Sequence, residues 1–221
     1  MDTNEPKGFQ KKDIYFGFAA GFFIGLLFLP VLRAAKQELY EQFALFVIPF
    51  FFIATPLGLA IAKRLSLVSQ KLALIWQIAK FGVIGVLNTF VDLGILSFLG
   101  FWLSRETGLD TKTIAIWGLT FYSLFKSFSF IVANINSFYW NKYWTFEINA
   151  EKKSGTEFTQ FFFVSLVGFL LNVFVASFVF KSVPAIIGLN VEQWGLIGAL
   201  AGTAVGLIWN FLGYKLWVFK K

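Results

Sequence analysis

The chain has 221 residues, of which 57% are hydrophobic and only 14% are charged, and Phe alone occurs 31 times. No soluble domain of this size carries so much apolar side chain, so the composition predicts a polytopic membrane protein. The absence of Cys and His excludes disulfides, thiol chemistry and most zinc, copper and haem sites. The formal net charge of +7 comes from basic residues that flank apolar runs, which favours membrane orientation over nucleic-acid binding.

Two membrane spans are predicted at the start of the chain, after a polar cytoplasmic tail over residues 1–13. Residues 14–32 form an uncharged run that is long enough to cross the hydrocarbon. A basic start and an apolar run also resemble a signal peptide, but this run is longer than a usual signal sequence and a second one follows quickly. The second span, residues 42–62, contains Pro49 and Pro56, which predict a kink.

Residues 63–80 mix apolar side chains with Lys and Gln, which predicts an interfacial helix or linker. We therefore place a domain boundary near Ser69, between a two-helix membrane extension over residues 14–69 and a second membrane domain over residues 70–221. That second domain is predicted to contain four further spans, over residues 81–104, 113–141, 157–181 and 192–215. The last of them carries Gly198, Gly202 and Gly206 at a spacing that is typical of close helix packing.

An aromatic signature occurs twice in the second domain. The first copy reads Ser137-Phe-Tyr-Trp-Asn141-Lys142-Tyr-Trp144-Thr-Phe146, and the second reads Asn210-Phe-Leu-Gly-Tyr214-Lys215-Leu-Trp217-Val-Phe219. The match in register predicts an internal duplication in which each unit contains two spans and both units point the same way. We therefore expect an all-α polytopic membrane protein with six transmembrane helices, the last four forming two parallel-repeat helical hairpins.

Most Lys and Arg residues fall on the side that holds both termini if there are six spans. The positive-inside rule then predicts an inner (plasma) membrane protein with cytoplasmic N- and C-termini. Lys142 and Lys215 lie beside Trp144 and Trp217 at that interface, which predicts snorkelling anchors within an aromatic belt. A symmetric pair of this kind could also attract a lipid phosphate.

Asp92 and Lys126 are the candidate functional charges, because they lie at comparable depth inside predicted spans. Intramembrane charges usually pair with one another, face the bundle interior or line a pathway. The pair could be a salt bridge that only fixes the helix register, or Lys126 could receive an anionic headgroup with Asp92 as its counter-ion. The intramembrane amides could be interhelical glue or could contact phosphate or sugar; they are Asn88, Asn134, Asn136, Asn172 and Asn210.

Nothing in the sequence indicates catalysis. It contains no Walker-type phosphate loop, no paired acidic motif for Mg²⁺ and no nucleophile with a His base, so we predict no enzyme activity, cofactor or metal.

The segment from Phe81 to Asp92, the run Lys126-Ser-Phe-Ser-Phe and the ending Asn-Lys-x-Trp-Thr-Phe at Phe146 resemble the GtrA-like family. Further similarity covers residues 160–172 and 209–219. The resemblance implies a four-helix membrane domain that moves polyprenyl-phosphate-linked sugars for cell-surface polysaccharide, or that supports a partner glycosyltransferase. By position, it assigns the family's polar residues to Asn88, Asp92, Lys126, Asn141, Lys142 and Asn210.

The resulting hypothesis is a flippase for an undecaprenyl-phosphate-linked monosaccharide, with the headgroup passing near Lys126. The alternative is a non-transporting subunit that anchors or orients a membrane glycosyltransferase. A proton-coupled exporter is a third option, but the cation beside Asp92 would hold that carboxylate ionised. Four helices make a thin wall for a sugar-sized passage, which is compatible with a homodimer.

Overall fold

A computed structural model describes residues 10–68, 73–148, 154–184 and 191–220. Within these ranges there are six α-helices and one short β-hairpin, because long apolar runs satisfy their backbone polar groups best as helices. The elements are α1 (Lys11–Ala35), α2 (Gln37–Val68), α3 (Ala73–Thr107), β1 (Ile114–Ile116), β2 (Leu119–Thr120), α4 (Phe121–Trp140), α5 (Ser154–Ser182) and α6 (Val191–Gly213).

Five helices in the described ranges are long and apolar enough to cross a membrane. They are Lys11–Ala35, Gln37–Val68, Leu74–Thr107, Gly155–Ser182 and Ile197–Val218. Helix α4 has 20 residues but carries Lys126 and several Ser and Asn side chains, which make it less apolar. The chain is thus a polytopic helical membrane protein, and the sixth span remains a prediction.

Of the interfacial helix or linker predicted over residues 63–80, the described residues belong to the long helices on either side. Helix α2 continues through Pro49 and Pro56 to Val68, and α3 already begins at Ala73. The predicted boundary at Ser69 lies outside the described residues, and the chain divides elsewhere into two compact units, Met1–Glu147 and Ile148–Lys221. The two N-terminal helices belong to the first unit because α1 and α2 both pack on α3.

A β-hairpin occupies the region where the fourth predicted helix was expected to begin. Strands β1 and β2 pair antiparallel around Trp117 and Gly118, whose φ angles are 49° and 77°. Two successive residues with positive φ make a tight hairpin turn and are incompatible with a helix. Helix α4 therefore starts at Phe121, where the Thr120 side chain accepts the Ser123 backbone N–H, and the all-α prediction was wrong for this segment.

Glycines allow close packing of α1 against α2 and of α5 against α6. In the first unit, a Cβ at Gly21 would overlap the Phe51 carbonyl, and one at Gly25 would lie 2.8 Å from the Ile48 Cα. In the second unit, α5 and α6 approach along Gly198, Gly202 and Gly206, where added Cβ atoms would meet the carbonyl oxygens of Ala176, Asn172 and Gly168. The packing role predicted for the three glycines of α6 is confirmed.

The two copies of the aromatic signature adopt the same local backbone. Residues Asn141–Thr145 and Tyr214–Val218 each form a π-helical turn directly after an α-helix. The Phe146 N–H donates to the Asn141 carbonyl at 2.9 Å, and the Phe219 N–H donates to the Tyr214 carbonyl at 2.8 Å. The two turns fall at matching positions of the predicted duplication, and such turns are rare and often mark functional sites.

Candidate functional site

Asp92 of α3 and Lys126 of α4 form the expected ion pair inside the first unit. The Lys126 ammonium donates to Asp92 Oδ2, and the Ser129 hydroxyl donates to Asp92 Oδ1 at 2.6 Å. Lys126 and Ser129 are three residues apart on α4, so both face α3. Ser129 is a member of this site that the sequence analysis did not find.

The Lys126 side chain remains 40% exposed, whereas that of Asp92 is 19% exposed. Within the described part of the chain, Asp92 takes one of the three donors of the ammonium group, which leaves donors that can meet an anion. Because α4 begins at Phe121, Lys126 lies only about 8 Å along the helix from the hairpin end. The site is therefore nearer to that end of α4 than a helix starting at Thr113 predicted.

The other amides of the first unit are local or buried. Asn134 donates to the carbonyl of Phe130 in its own helix, and Asn141 donates to the carbonyl and hydroxyl of Ser137. Asn88 Oδ1 and Asn136 Nδ2 are buried and have no hydrogen-bond partner among the described residues. Buried polar atoms without a protein partner are candidates for contact with water or ligand.

The amides of the second unit lie between α5 and α6. Asn172 Nδ2 is 3.4 Å from the Thr203 hydroxyl, and the Asn210 side chain packs directly against the Gly168 backbone. These contacts fit interhelical packing, which was one of the two interpretations of the amides. A role for Asn172 and Asn210 in binding substrate stays a prediction.

The interface-anchor prediction is wrong for the first copy of the signature. Lys142 is 1% exposed and Trp144 is fully buried, because the π-helical turn directs the indole onto Phe16 of α1 at a ring distance of 5.4 Å. In the second copy, Trp217 is 50% exposed, as an aromatic belt requires. Both lysines lie over the Phe one turn earlier, Lys142 over Phe138 at 5.7 Å and Lys215 over Phe211 at 5.6 Å.

A buried ion network, which the sequence analysis also missed, joins α1 to α3 and the first π-helical turn. We call it the Lys80 network; its members are Lys80, Asp13, Trp144 and Glu147. The Lys80 ammonium is 2% exposed and donates to the Trp144 carbonyl at 2.9 Å, to Glu147 at 3.0 Å and to Asp13 at 3.5 Å. The Trp144 indole N–H donates to the same Asp13 oxygen at 3.1 Å.

The Lys80 network changes the pKa of Glu147, which lies outside the membrane spans. Partial burial by itself would raise the pKa of the Glu147 carboxyl, but hydrogen bonds and attraction from Lys80 and Lys12 outweigh it and lower the pKa. Glu147 is therefore ionised at neutral pH and bridges the buried Lys80 and the exposed Lys12. The sequence signal for this network is Asp13, which follows the basic residues of the tail and opens the first span.

Within the described ranges, no three His, Cys, Asp or Glu side chains lie close enough to hold a metal ion.

The fold and the Asp92–Lys126 pair define a polytopic helical membrane protein with a charged site between two helices. Residues 80–219 match the family model described as GtrA/DPMS, transmembrane domain, so the chain belongs to this family. The chain is similar to the "Uncharacterized membrane protein YngA" of Bacillus subtilis (strain 168), at 25% identity over 142 residues that cover 64% of this chain and 78% of the relative. No solved structure matches the chain. Helix α1 and helix α2 precede the matched residues.

Proposed function

We propose that this protein translocates a polyprenyl-phosphate-linked sugar across the plasma membrane for cell-surface polysaccharide synthesis, and that it is not an enzyme. The family supplies the context of lipid-linked sugars. The observation that carries the proposal is the Asp92–Lys126 pair: a lysine that is bonded to a carboxylate, yet is 40% exposed, can receive a phosphate in transit.

The arrangement proposed for the membrane has six spans, with α4 as the fourth and both termini in the cytoplasm. Helix α4 is bonded to α3 by Lys126 and Ser129, so its polar residues need not face lipid. The matching π-helical turns at Asn141 and Tyr214 support two parallel hairpins that arose by duplication. A homodimer and a membrane glycosyltransferase are the proposed partners.

Transport is tested with purified protein in liposomes that contain a labelled polyprenyl-phosphate-linked sugar, by measuring how much headgroup becomes accessible from the other side. We expect wild-type protein to accelerate exchange of the headgroup. Lys126→Ala should abolish this activity, whereas Asp92→Asn should weaken it, because the first variant loses the cation and the second loses only its counter-ion.

Lys181→Ala is the matched control, because Lys181 is an exposed lysine of the second unit that belongs to none of the ion pairs between described residues. Full activity of Lys126→Ala at normal expression would remove the proposed site. Headgroup protection that is unchanged by wild-type protein would instead favour the alternative function, a non-transporting subunit that orients a glycosyltransferase.

A further inference from the structure

Two adjoining cavities lie at the end of the first unit where α1 turns into α2. The first, which we call the Arg33 cavity, has a volume of about 780 Å³ and is bounded by α1, the start of α2 and the second half of α3. The second, which we call the polar cavity, has a volume of about 510 Å³ and lies against the end of α3 and the loop that follows it. Both volumes fall in the range of about 300 to 1,000 Å³ that is usual for small-molecule sites.

The Arg33 cavity combines an apolar wall with one cation. Leu26, Leu29, Phe98 and Phe101 contribute to that wall, and Leu26, Phe98 and Phe101 are 41%, 61% and 52% exposed. These three side chains lie on helices that are apolar enough to span a membrane, so an acyl or isoprenyl chain can enter from the hydrocarbon.

Arg33 is held by aromatic rings rather than by a carboxylate. Its guanidinium carbon lies 5.7 Å from the centre of the Tyr40 ring and 5.5 Å from that of the Phe101 ring. None of the ion pairs among the described residues includes Arg33. A cation–π contact uses none of the guanidinium N–H donors in a hydrogen bond to a carboxylate, and the planar fork of Arg suits the oxygens of a phosphate.

The polar cavity continues from the Arg33 cavity, because Ala34, Ser97 and Phe101 line both. It adds the hydroxyl groups of Ser104 and Thr111 and the carboxylate of Asp110. The Lys112 backbone N–H donates to Asp110 at 3.1 Å and lowers the pKa of its carboxyl, which is an ionised acceptor at neutral pH. Hydroxyl groups and a carboxylate together are the donors and acceptors that a sugar needs.

We propose that the two cavities form one binding site for a polyprenyl-phosphate-linked sugar, with the isoprenyl chain in the Arg33 cavity, the phosphate on Arg33 and the sugar in the polar cavity. The choice of substrate rests on the proposed function. Helices α1 and α2, which precede the family match, supply Arg33 and Tyr40. In the orientation proposed above this end faces away from the cytoplasm, so the site would hold the lipid on the far side from the termini.

The test is a binding assay on the full-length protein in nanodiscs, with three lipid probes: undecaprenyl-phosphate glucose, undecaprenyl phosphate and phosphatidylglycerol. Wild-type protein should bind the sugar-linked lipid most tightly. Arg33→Ala and Arg33→Gln should each weaken binding of both undecaprenyl lipids about tenfold or more, since a charge-assisted contact is lost. Ser97 lines both cavities, so Ser97→Trp should block the connection between them and thereby remove the preference for the sugar-linked lipid.

Arg105→Ala is the matched control, because Arg105 is an exposed arginine near the end of α3 that lines neither cavity. The Arg105→Ala variant should bind both undecaprenyl lipids with the affinity of the wild-type protein. Equal affinities of the Arg33 and Arg105 variants would overturn the inference, and so would phosphatidylglycerol binding as tightly as undecaprenyl-phosphate glucose, which would define a general site for acidic lipids.

The liposome assay separates this inference from the proposed function. Selective binding that depends on Arg33 in a protein without headgroup exchange would support the site while refuting translocation. Headgroup exchange by wild-type protein, combined with unchanged binding in Arg33→Ala and Arg33→Gln, would refute the site alone.

Discussion

Replacing Lys80 with Ala tests whether the Lys80 network holds the start of α1 on α3 and the first π-helical turn. Among the described residues, the change leaves the buried Asp13 carboxylate hydrogen-bonded to the N–H groups of Trp144 and Gln10, and it removes the donor to the Trp144 carbonyl. Glu147 still has its ion pair with Lys12 and is 38% exposed, so losing the contact with Lys80 should cost little at this residue. Removing one partner of a buried ion pair costs about 3 to 5 kcal/mol.

In a chain of this size, each kcal/mol lowers the Tm by about 2 to 4 °C, so Lys80→Ala should lower it by about 6 to 20 °C. The Tm is measured on purified protein in one detergent at one scan rate. Lys12→Ala is the control, because among the described residues it breaks one exposed ion pair, with Glu147 at 3.2 Å, which is worth about 0 to 1 kcal/mol. Equal Tm values for Lys80→Ala and Lys12→Ala would refute the network's structural role.

Two further predictions concern packing and pH. Gly202→Ala should destabilise the protein by about 1 to 3 kcal/mol, because the new methyl group would overlap the Asn172 carbonyl, whereas Gly82→Ala should be neutral or stabilise by up to about 1 kcal/mol, because its Cβ meets nothing within 4 Å. Folding lowers the pKa of the Glu147 carboxyl below its ordinary value of 4.5, so the charged carboxylate should stabilise the fold above pH 4.5. This stabilisation should be lost as the pH falls through the lower pKa of the folded state. The Tm values of wild type and Glu147→Gln should therefore differ at neutral pH and converge in acid.

Both predictions are measured as Tm in detergent. A Gly202→Ala variant that melts at or above the Gly82→Ala variant would contradict close packing of α5 on α6. For Glu147, a Tm difference from the Gln variant that stays constant down to about pH 3 would show that its charge does not stabilise the fold.

The predictions that succeeded rest on residues whose chemistry is unusual for their surroundings. A charge in an apolar run is so costly that Asp92 and Lys126 could be identified as partners without coordinates. The regular spacing of the glycines in α6 likewise determines which helix face packs. Gly17, Gly21 and Gly25 in α1 have the same spacing, and Gly21 and Gly25 approach the backbone of α2 in the same way, so this spacing marks a packing face in α1 as well.

The errors come from features that depend on what lies elsewhere in the chain. A lysine at a cytoplasmic helix end usually orients the membrane protein, and only the fold shows that Lys80 is covered by Asp13 and Trp144. The hairpin was missed because Ile114, Ile116 and Leu119 read as the start of an apolar span. The alternation of larger and smaller side chains just before Trp117-Gly118 is typical of a strand and argued against a helix there. Two or three residues of such alternation are too few to outweigh a long apolar run.

The Lys80 network also sets an order of events during synthesis. Asp13 and Trp144, which share a hydrogen bond, are 131 positions apart in the chain. At about 5 to 20 residues per second, a ribosome needs about 7 to 26 s to cover that distance. The first helix is therefore made long before the Trp144 indole and carbonyl that bond to Asp13 and Lys80. The Lys80 network can be completed only after Trp144 has been made, so the docking of α1 through this network is a late step of assembly.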